Sequence, residues 1–235
     1  MCGRYAITTP PEALRQFLDY VERPNFPARY NIAPTQPIPI VRQTRDPDGA
    51  RRRHFLLVRW GFLPGFVKDP RDFPLLINAR AETATQKPSF RNAMKRRRCL
   101  VPADAYYEWR REPGKRTGAP FLFRRADGAP MIFAGLWESW CGPEGSEVDT
   151  ACILTTDANG ATAAIHDRMP AILEPAACAA WLDCDEVDAE TAARLLRPAP
   201  VDAIDFFEIG PAVNKVANDG PEIQASTAFH DAGRP

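Results

Sequence analysis

At 235 residues the chain can bury a core as one domain, and hydrophobic residues at 45% with charged residues at 26% fit a soluble globular protein. No run of about 18 apolar residues occurs and no basic segment leads into an apolar stretch at the amino terminus, which excludes a membrane-spanning helix and a secretory leader and predicts a cytosolic protein. The net charge is zero, yet residues 1–125 carry 25 Lys+Arg against 11 Asp+Glu, and residues 126–235 carry 5 against 19.

The first predicted element is a helix starting near Thr9, which can cap Pro10 and Pro11. It runs through "EALRQFLDYV" with Leu14, Phe17, Leu18 and Val21 as one apolar stripe. After a loop "RYNIAP", the segments "IPIVRQT" and "RRRHFLLVRWGF" flank a "DPDG" turn and read as a hairpin. "PLLINAR" is a short buried strand and "SFRNAMKRRR" a basic helix capped by Ser89. The strands "RCLVPADAYYEW", "PFLFRRA", "PMIFAGLWESW" and "TACILTT" follow, with Asp127-Gly128 turning the second into the third. Helices around "PAACAAWLD" and "DAETAARLLR" precede a last strand, "AIDFFEI". Many strands joined mainly by hairpins, with few helices, indicate an α+β fold around a largely antiparallel, barrel-like sheet. No linker or repeat divides the chain, so residues 1–235 read as one domain, loosely ordered after about residue 225.

The charge segregation has two readings. The basic half offers a surface for phosphates if its charges converge in space, or the two halves pair with each other. The clusters Arg51-Arg52-Arg53 and Lys95-Arg96-Arg97-Arg98 read by themselves as solvated surface.

Six cysteines without a CxxC pair and three dispersed histidines, His54, His166 and His230, lack metal-ligand spacing, so neither a metal nor another cofactor is expected. The opening "MCGRY" is the exception among the thiols. Removal of Met1 would leave Cys2 with an amine and a thiol on one residue. Cys2 is then an ordinary small residue at a frayed terminus, the nucleophile of an N-terminal hydrolase such as the glutamine amidotransferases, or an aldehyde trap that closes a thiazolidine. Three polar residues interrupt apolar stretches elsewhere: Asn78 after "LLI", Glu108 in "YYEW" and His166 in "HDRMP". Each alone has a structural explanation, as a turn cap, a solvent-facing strand position or a partner for a buried carbonyl. Trp60, Trp109 and Trp137 read as core residues rather than base-stacking platforms.

In order along the chain, "MCGRY", "RYNIAPTQ", "RWGFLPG", "INARAET", "VPADAYYEW", "GLWESW", "ILTT", "IHDRMP" and "AVNKVANDGPEI" resemble the SRAP family. These are SOS-response-associated peptidases that shield abasic sites in single-stranded DNA. The resemblance implies that Cys2 is the crosslinking residue, with Asn78, Glu108 and His166 around it, and that Arg4, Arg80 and Arg168 hold backbone phosphates. Lys87 stands where relatives use arginine. Phe66-Val67 replaces the tryptophans that some relatives carry after Pro-Gly, and Phe66 joins the DNA-contact candidates, since bases exposed beside a lesion can stack on aromatic residues. The implied partner is single-stranded DNA containing abasic sites, with no membrane, and the chain reads as a monomer. In relatives with residues ahead of the cysteine the resemblance implies self-cleavage, whereas here removal of Met1 suffices. A noncovalent single-stranded DNA binding module and an amide hydrolase using Cys2, His166 and Glu108 are the alternatives.

Overall fold

The computed structural model describes residues 2–111, 114 and 117–227. Its strands are β1 (Tyr5–Ile7), β2 (Arg29–Ile32), β3 (Pro37–Arg45), β4 (Arg51–Trp60), β5 (Asn78–Arg80), β6 (Arg98–Ala103), β7 (Ala105–Arg110), β8 (Ala119–Arg125), β9 (Met131–Cys141), β10 (Glu147–Asp157), β11 (Arg168–Pro170) and β12 (Ile204–Glu208). The helices are short: α1 (Pro11–Leu18), α2 (Ala81–Ala84), α3 (Arg91–Arg96), α4 (Cys178–Leu182) and α5 (Ala189–Ala193).

Strands β10, β4, β3, β6 and β9 are hydrogen-bonded in that order, and β9 pairs back onto β10, so five strands close into a barrel. Its one parallel contact is β10 with β4, where Ala151 lies level with Trp60. The far end of β10 carries two additions, β5 in parallel and β11 antiparallel. A second, antiparallel sheet runs β12-β8-β7-β1-β2. The α+β, barrel-centred architecture is the one expected.

The β3–β4 hairpin forms because "DPDG" supplies its turn: Gly49 sits at φ 82 and its N–H donates to the Asp46 carbonyl at 2.8 Å. Aromatic rings fill the space between barrel and sheet. Tyr5 meets Trp60 and Phe133 edge-on, at 5.4 and 6.2 Å between centroids, while Tyr106 stacks on Phe123 at 4.7 Å. Edge-to-face and offset stacks of this kind hold ring orientation as well as burying area.

Several local expectations change. Helix α1 ends at Leu18, where Asp19 turns left-handed at φ 54, so Val21 lies beyond the helix; Val21 and Phe17 are exposed and the buried stripe reduces to Leu14 and Leu18. Thr9 does not cap α1. Its N–H and Oγ1 instead donate to Asp104, which sits between β6 and β7. That same Asp104 divides "RCLVPADAYYEW" into two strands, one in the barrel and one in the second sheet. "RYNIAP" begins as strand β2 rather than loop, Ser89 does not cap α3, and only Asn78–Arg80 of "PLLINAR" is strand. The Asp127-Gly128 turn joins strands of different sheets, so it does not close a hairpin. The expected loose tail falls largely on residues 228–235, which, with His230, lie outside the described residues.

The basic and acidic halves do pair. Arg29 meets Asp219 at 2.5 Å, Arg51 meets Asp183 at 2.8 Å and Glu186 at 3.1 Å, and Arg97 meets Glu138 at 3.1 Å. Arg98, expected on the surface, is 1% exposed. Its guanidinium donates to the carbonyls of Trp181, Met94, Asp183 and Val187 at 2.6–2.8 Å and ties α3 and β6 to α4 and the loop after it.

Candidate active site

Cys2 is 0% exposed and packed in the main core, which overturns the frayed-terminus reading. Two contacts hold its segment: the Cys2 Sγ donates to the Arg4 carbonyl at 3.7 Å, and Asn78 Nδ2 donates to the Cys2 carbonyl at 2.9 Å. Asn78 opens β5, whose parallel register with β10 places it level with Ile153. The other amide atom, Asn78 Oδ1, is buried with no hydrogen-bond partner among the described residues.

Glu108 reaches the site from β7. Side chains alternate along a strand, so Tyr106 and Glu108 share one face and Tyr107 takes the other. Tyr107 accordingly donates to the Tyr30 carbonyl at 2.6 Å on the far side of the sheet, in a separate cluster. Glu108 is 4% exposed, and burial pushes its carboxyl up to about 7. Its Oε2 lies 3.9 Å from His166 Nε2.

His166 follows a 3-10 turn at Thr162–Ala164 and precedes β11. Burial lowers its imidazole below the usual histidine range. The Arg168 backbone N–H donates to Nδ1 at 3.0 Å, which fixes the neutral tautomer with its hydrogen on Nε2, toward Glu108. On protonation, Nδ1 can donate instead to Asp167 Oδ1, also 3.0 Å away. A cleft of about 320 Å³ lined by Arg110, Arg111, Ala163, Ile165, His166 and Asp167 opens beside it. A larger cleft of about 610 Å³, around Thr8, Asp104, Arg124 and Phe207, touches none of these four groups.

Burial raises the Cys2 thiol well above the ordinary range, and the charge of Glu108 adds to the effect. The sulfur therefore rests as a protonated thiol beside a carboxyl able to exchange protons near neutrality.

The expected DNA-contact residues occupy two kinds of position. Arg80 and Lys87 are exposed, and Phe66 is 59% exposed with its ring edge-on to Phe73. Arg168 is buried: its terminal nitrogens donate to both oxygens of Glu82 at 2.9 Å, to Asp157 Oδ1 and to the Thr155 carbonyl. Arg4 donates to Asn31 Oδ1 at 2.7 Å and to the Val213 carbonyl at 2.8 Å. Behind it, Asn31 Nδ2 binds the carbonyls of Val213, Lys215 and Asn218, while Asp219 accepts from Arg29 and from the N–H groups of Tyr30 and Asn31. The segments "RYNIAP" and "AVNKVANDG" are thus one polar brace under the amino terminus. Sequence reading missed it, although Asn31 between apolar neighbours and the "ND" pair before Gly220 were visible signals.

Of the three tryptophans expected in the core only Trp60 is fully buried, and Trp109 and Trp137 are partly buried at the core's edge with arginines over their rings. Trp60 is buried with its Nε1 on the Ile77 carbonyl, Trp109 donates to Asn214 Oδ1, and Trp137 lies under Arg42 at 4.3 Å.

Comparison with known proteins gives a consistent result. The chain is 36% identical over 226 residues to the abasic site processing protein YoqW of Bacillus subtilis, covering 95% of this chain and 98% of that one. It is 32% identical over 231 residues to YedK of Escherichia coli, likewise named an abasic site processing protein, with 95% and 98% covered. A crystal structure of a Bacteroides thetaiotaomicron protein superposes with a TM-score of 0.85 at 26% identity, over 96% of this chain and all of the other. The family model for SOS response associated peptidases matches residues 1–216, and the chain belongs to the SOS response associated peptidase (SRAP) family.

Proposed function

We propose that the protein processes abasic sites in single-stranded DNA by forming a covalent adduct with their ring-opened aldehyde through Cys2. Cys2, buried as the second residue with Asn78 on its carbonyl and the Glu108–His166 pair nearby, is the observation that carries this reading. Met1 lies outside the described residues, and its removal would expose the α-amine. With an ordinary pKa near ~7.7–8.0 that amine is partly unprotonated at neutral pH. It adds to the aldehyde carbon, water leaves, and an imine results. The Cys2 sulfur then attacks the same carbon and closes a thiazolidine. Holding both nucleophiles on one residue makes closure intramolecular, which offsets the weak nucleophilicity of a protonated thiol. Glu108 exchanges protons with the amine and the sulfur. His166, neutral with its Nε2 hydrogen toward Glu108, assists opening of the sugar ring. Asn78 orients the amine through its grip on the adjoining carbonyl.

A raised thiol pKa weighs against the hydrolase alternative, which needs a thiolate to attack an amide. Self-processing is then confined to freeing the Cys2 amine. On the DNA side, Arg80 and Lys87 contact phosphates, Phe66 stacks on a base beside the lesion, and Arg4 and Arg168 shape the rim from their braced positions.

The test mixes mature protein with a single-stranded oligonucleotide carrying one natural abasic site, boils the sample in detergent and looks for a shifted band. We expect a heat-stable adduct that is absent with a tetrahydrofuran analogue, which has no aldehyde, and absent with Cys2→Ala. An adduct that survives Cys2→Ala would overturn the assignment of Cys2. Binding without any adduct would favour a noncovalent module.

A further inference from the structure

The seam that closes the barrel is short. Strand β4 meets β10 only through Arg59 and Trp60, so its outer edge along residues 51–58 pairs with no strand among the described residues. An open edge of this kind needs a cover. Residues 19–28, between α1 and β2, supply it. The Val21 N–H donates to the Arg53 carbonyl at 3.1 Å, Arg53 Nη1 donates back to the Leu18 carbonyl at 2.9 Å, and the Phe55 N–H donates to Glu22 Oε2 at 2.7 Å. The Tyr20 and Phe26 rings pack on Phe55 at 5.3 and 5.6 Å between centroids.

His54 stands in the middle of this cover. Its Nδ1 lies 2.7 Å from Glu22 Oε1, and its Nε2 lies 2.8 Å from Asp46 Oδ1 in the β3–β4 turn. A carboxylate oxygen only accepts hydrogen bonds and a neutral imidazole donates from one nitrogen alone, so the imidazolium satisfies both contacts together. Of the cations on the neighbouring strands, Arg52 Nη1 donates to Asp46 Oδ2 at 2.7 Å, Arg53 is turned to the Leu18 carbonyl, and Arg42, the cross-strand partner of His54, lies over Trp137. Burial opposes a charge on the ring, but the hydrogen bonds to Glu22 and Asp46 outweigh it and hold the proton above the ordinary histidine range.

We propose that protonated His54 is the clasp that fastens the α1–β2 connection over the edge of β4, and that it releases when the ring gives its proton to solvent. The nitrogen left bare then turns a lone pair toward a carboxylate, and one of the two contacts becomes repulsive. Asp46 stays anchored by the Arg52 guanidinium, whereas Glu22 is left with a backbone N–H, so the connection is the side that loosens. That connection runs directly into β2, which carries the Asn31 that holds Arg4.

Imidazole nitrogen shifts of the full chain, followed by NMR from pH 5.5 to 9, test the clasp, with the His54 signals assigned by their loss in His54→Gln. We expect both ring nitrogens protonated at pH 7 and a midpoint above the ordinary ~6.5. Glu22→Gln and Asp46→Asn should each bring that midpoint down. Through the same midpoint, protection of the Val21 and Phe55 amides against hydrogen exchange should fall by about 10-fold, the worth of one charge-assisted hydrogen bond, and should stay flat in His54→Gln. Because the folded-state pKa is raised, the stabilisation is full below the unfolded value near ~6.5 and is lost as pH rises through the folded midpoint. His54→Gln should therefore melt below wild type at pH 6 and approach it at pH 9, with Glu108 contributing equally to both proteins. If His54→Gln does not fold, His166→Gln and His230→Gln assign the signal by elimination and the two carboxylate variants give the comparison. A midpoint at or below ~6.5, amide protection that passes through the titration unchanged, or a melting gap independent of pH would each overturn the proposal.

Discussion

The proton economy of the site turns on one carboxyl. An acid whose folded-state pKa is raised favours the folded state most while protonated, so its contribution is full below the unfolded value near ~4.3 and is lost as pH climbs through the folded value. For Glu108, pushed up to about 7, that window is pH 4.5 to 7. The loss is on the order of 3 kcal/mol at ~1.36 kcal/mol per pH unit. Glu108→Gln, which keeps the shape without the charge, should therefore gain stability over wild type as pH rises from 5 to 8. Melting curves at both ends of that range check it, and a pH-independent difference between the two proteins would contradict it. The same variant should crosslink slowly, because the charge that costs stability is the one that receives protons. In the sequence, Asn78, Glu108 and His166 stand out as polar residues set in apolar runs and Cys2 by its place behind Met1, while it is the family resemblance that groups the four as a candidate site.

At the scale of elements, local chemistry predicted well where one turn decides the outcome and poorly where burial does. The β3–β4 hairpin follows from "DPDG" because the glycine needed at positive φ lies within the turn. The length of α1 did not follow from its apolar periodicity: Asp19 turns left-handed after Leu18, and Phe17 stays exposed. Arg98 is the extreme case. In "KRRR" nothing separates it from Arg96 and Arg97, and only the four carbonyls it meets make it a strut. Arg98→Lys presents one ammonium where a planar fork reached four acceptors, so at least one buried carbonyl loses its donor. A loss of about 2–4 kcal/mol is expected, read as a lower denaturation midpoint with the slope unchanged. A midpoint equal to wild type would show that lysine satisfies the same carbonyls.

Across the whole molecule, the near-perfect balance of charge conceals its use. Several arginines of the first half, Arg29, Arg51 and Arg97 among them, pair with acids of the second, while others, with Arg80 and Lys87, stay exposed at the surface. Binding to single-stranded DNA should accordingly weaken with salt at a slope near −0.7 per phosphate contacted, and Arg80→Ala should reduce the slope by about 0.7. Titrations of an oligonucleotide at several salt concentrations decide this. An unchanged slope would remove Arg80 from the contact set. Little dependence on base sequence is expected, since phosphate contacts carry none.

What the sequence by itself determined is the inventory: an α+β chain rich in hairpin signals, a cysteine behind Met1, three out-of-place polar residues and a set of motifs in family order. These are legible because turn chemistry, strand alternation and residue reactivity are local properties. The tertiary structure alone decided which sheet each strand joins, that Asp104 breaks one apolar run between two sheets, and that β10 lies parallel to β4 to close the barrel. It also decided which charges are spent inside. A strand's backbone offers the same donors and acceptors to any neighbour, and an arginine the same guanidinium to any carbonyl. Their partners are therefore chosen by packing between segments far apart in the chain, and that packing brings the β5 end of Asn78 and the β7 face of Glu108 to Cys2.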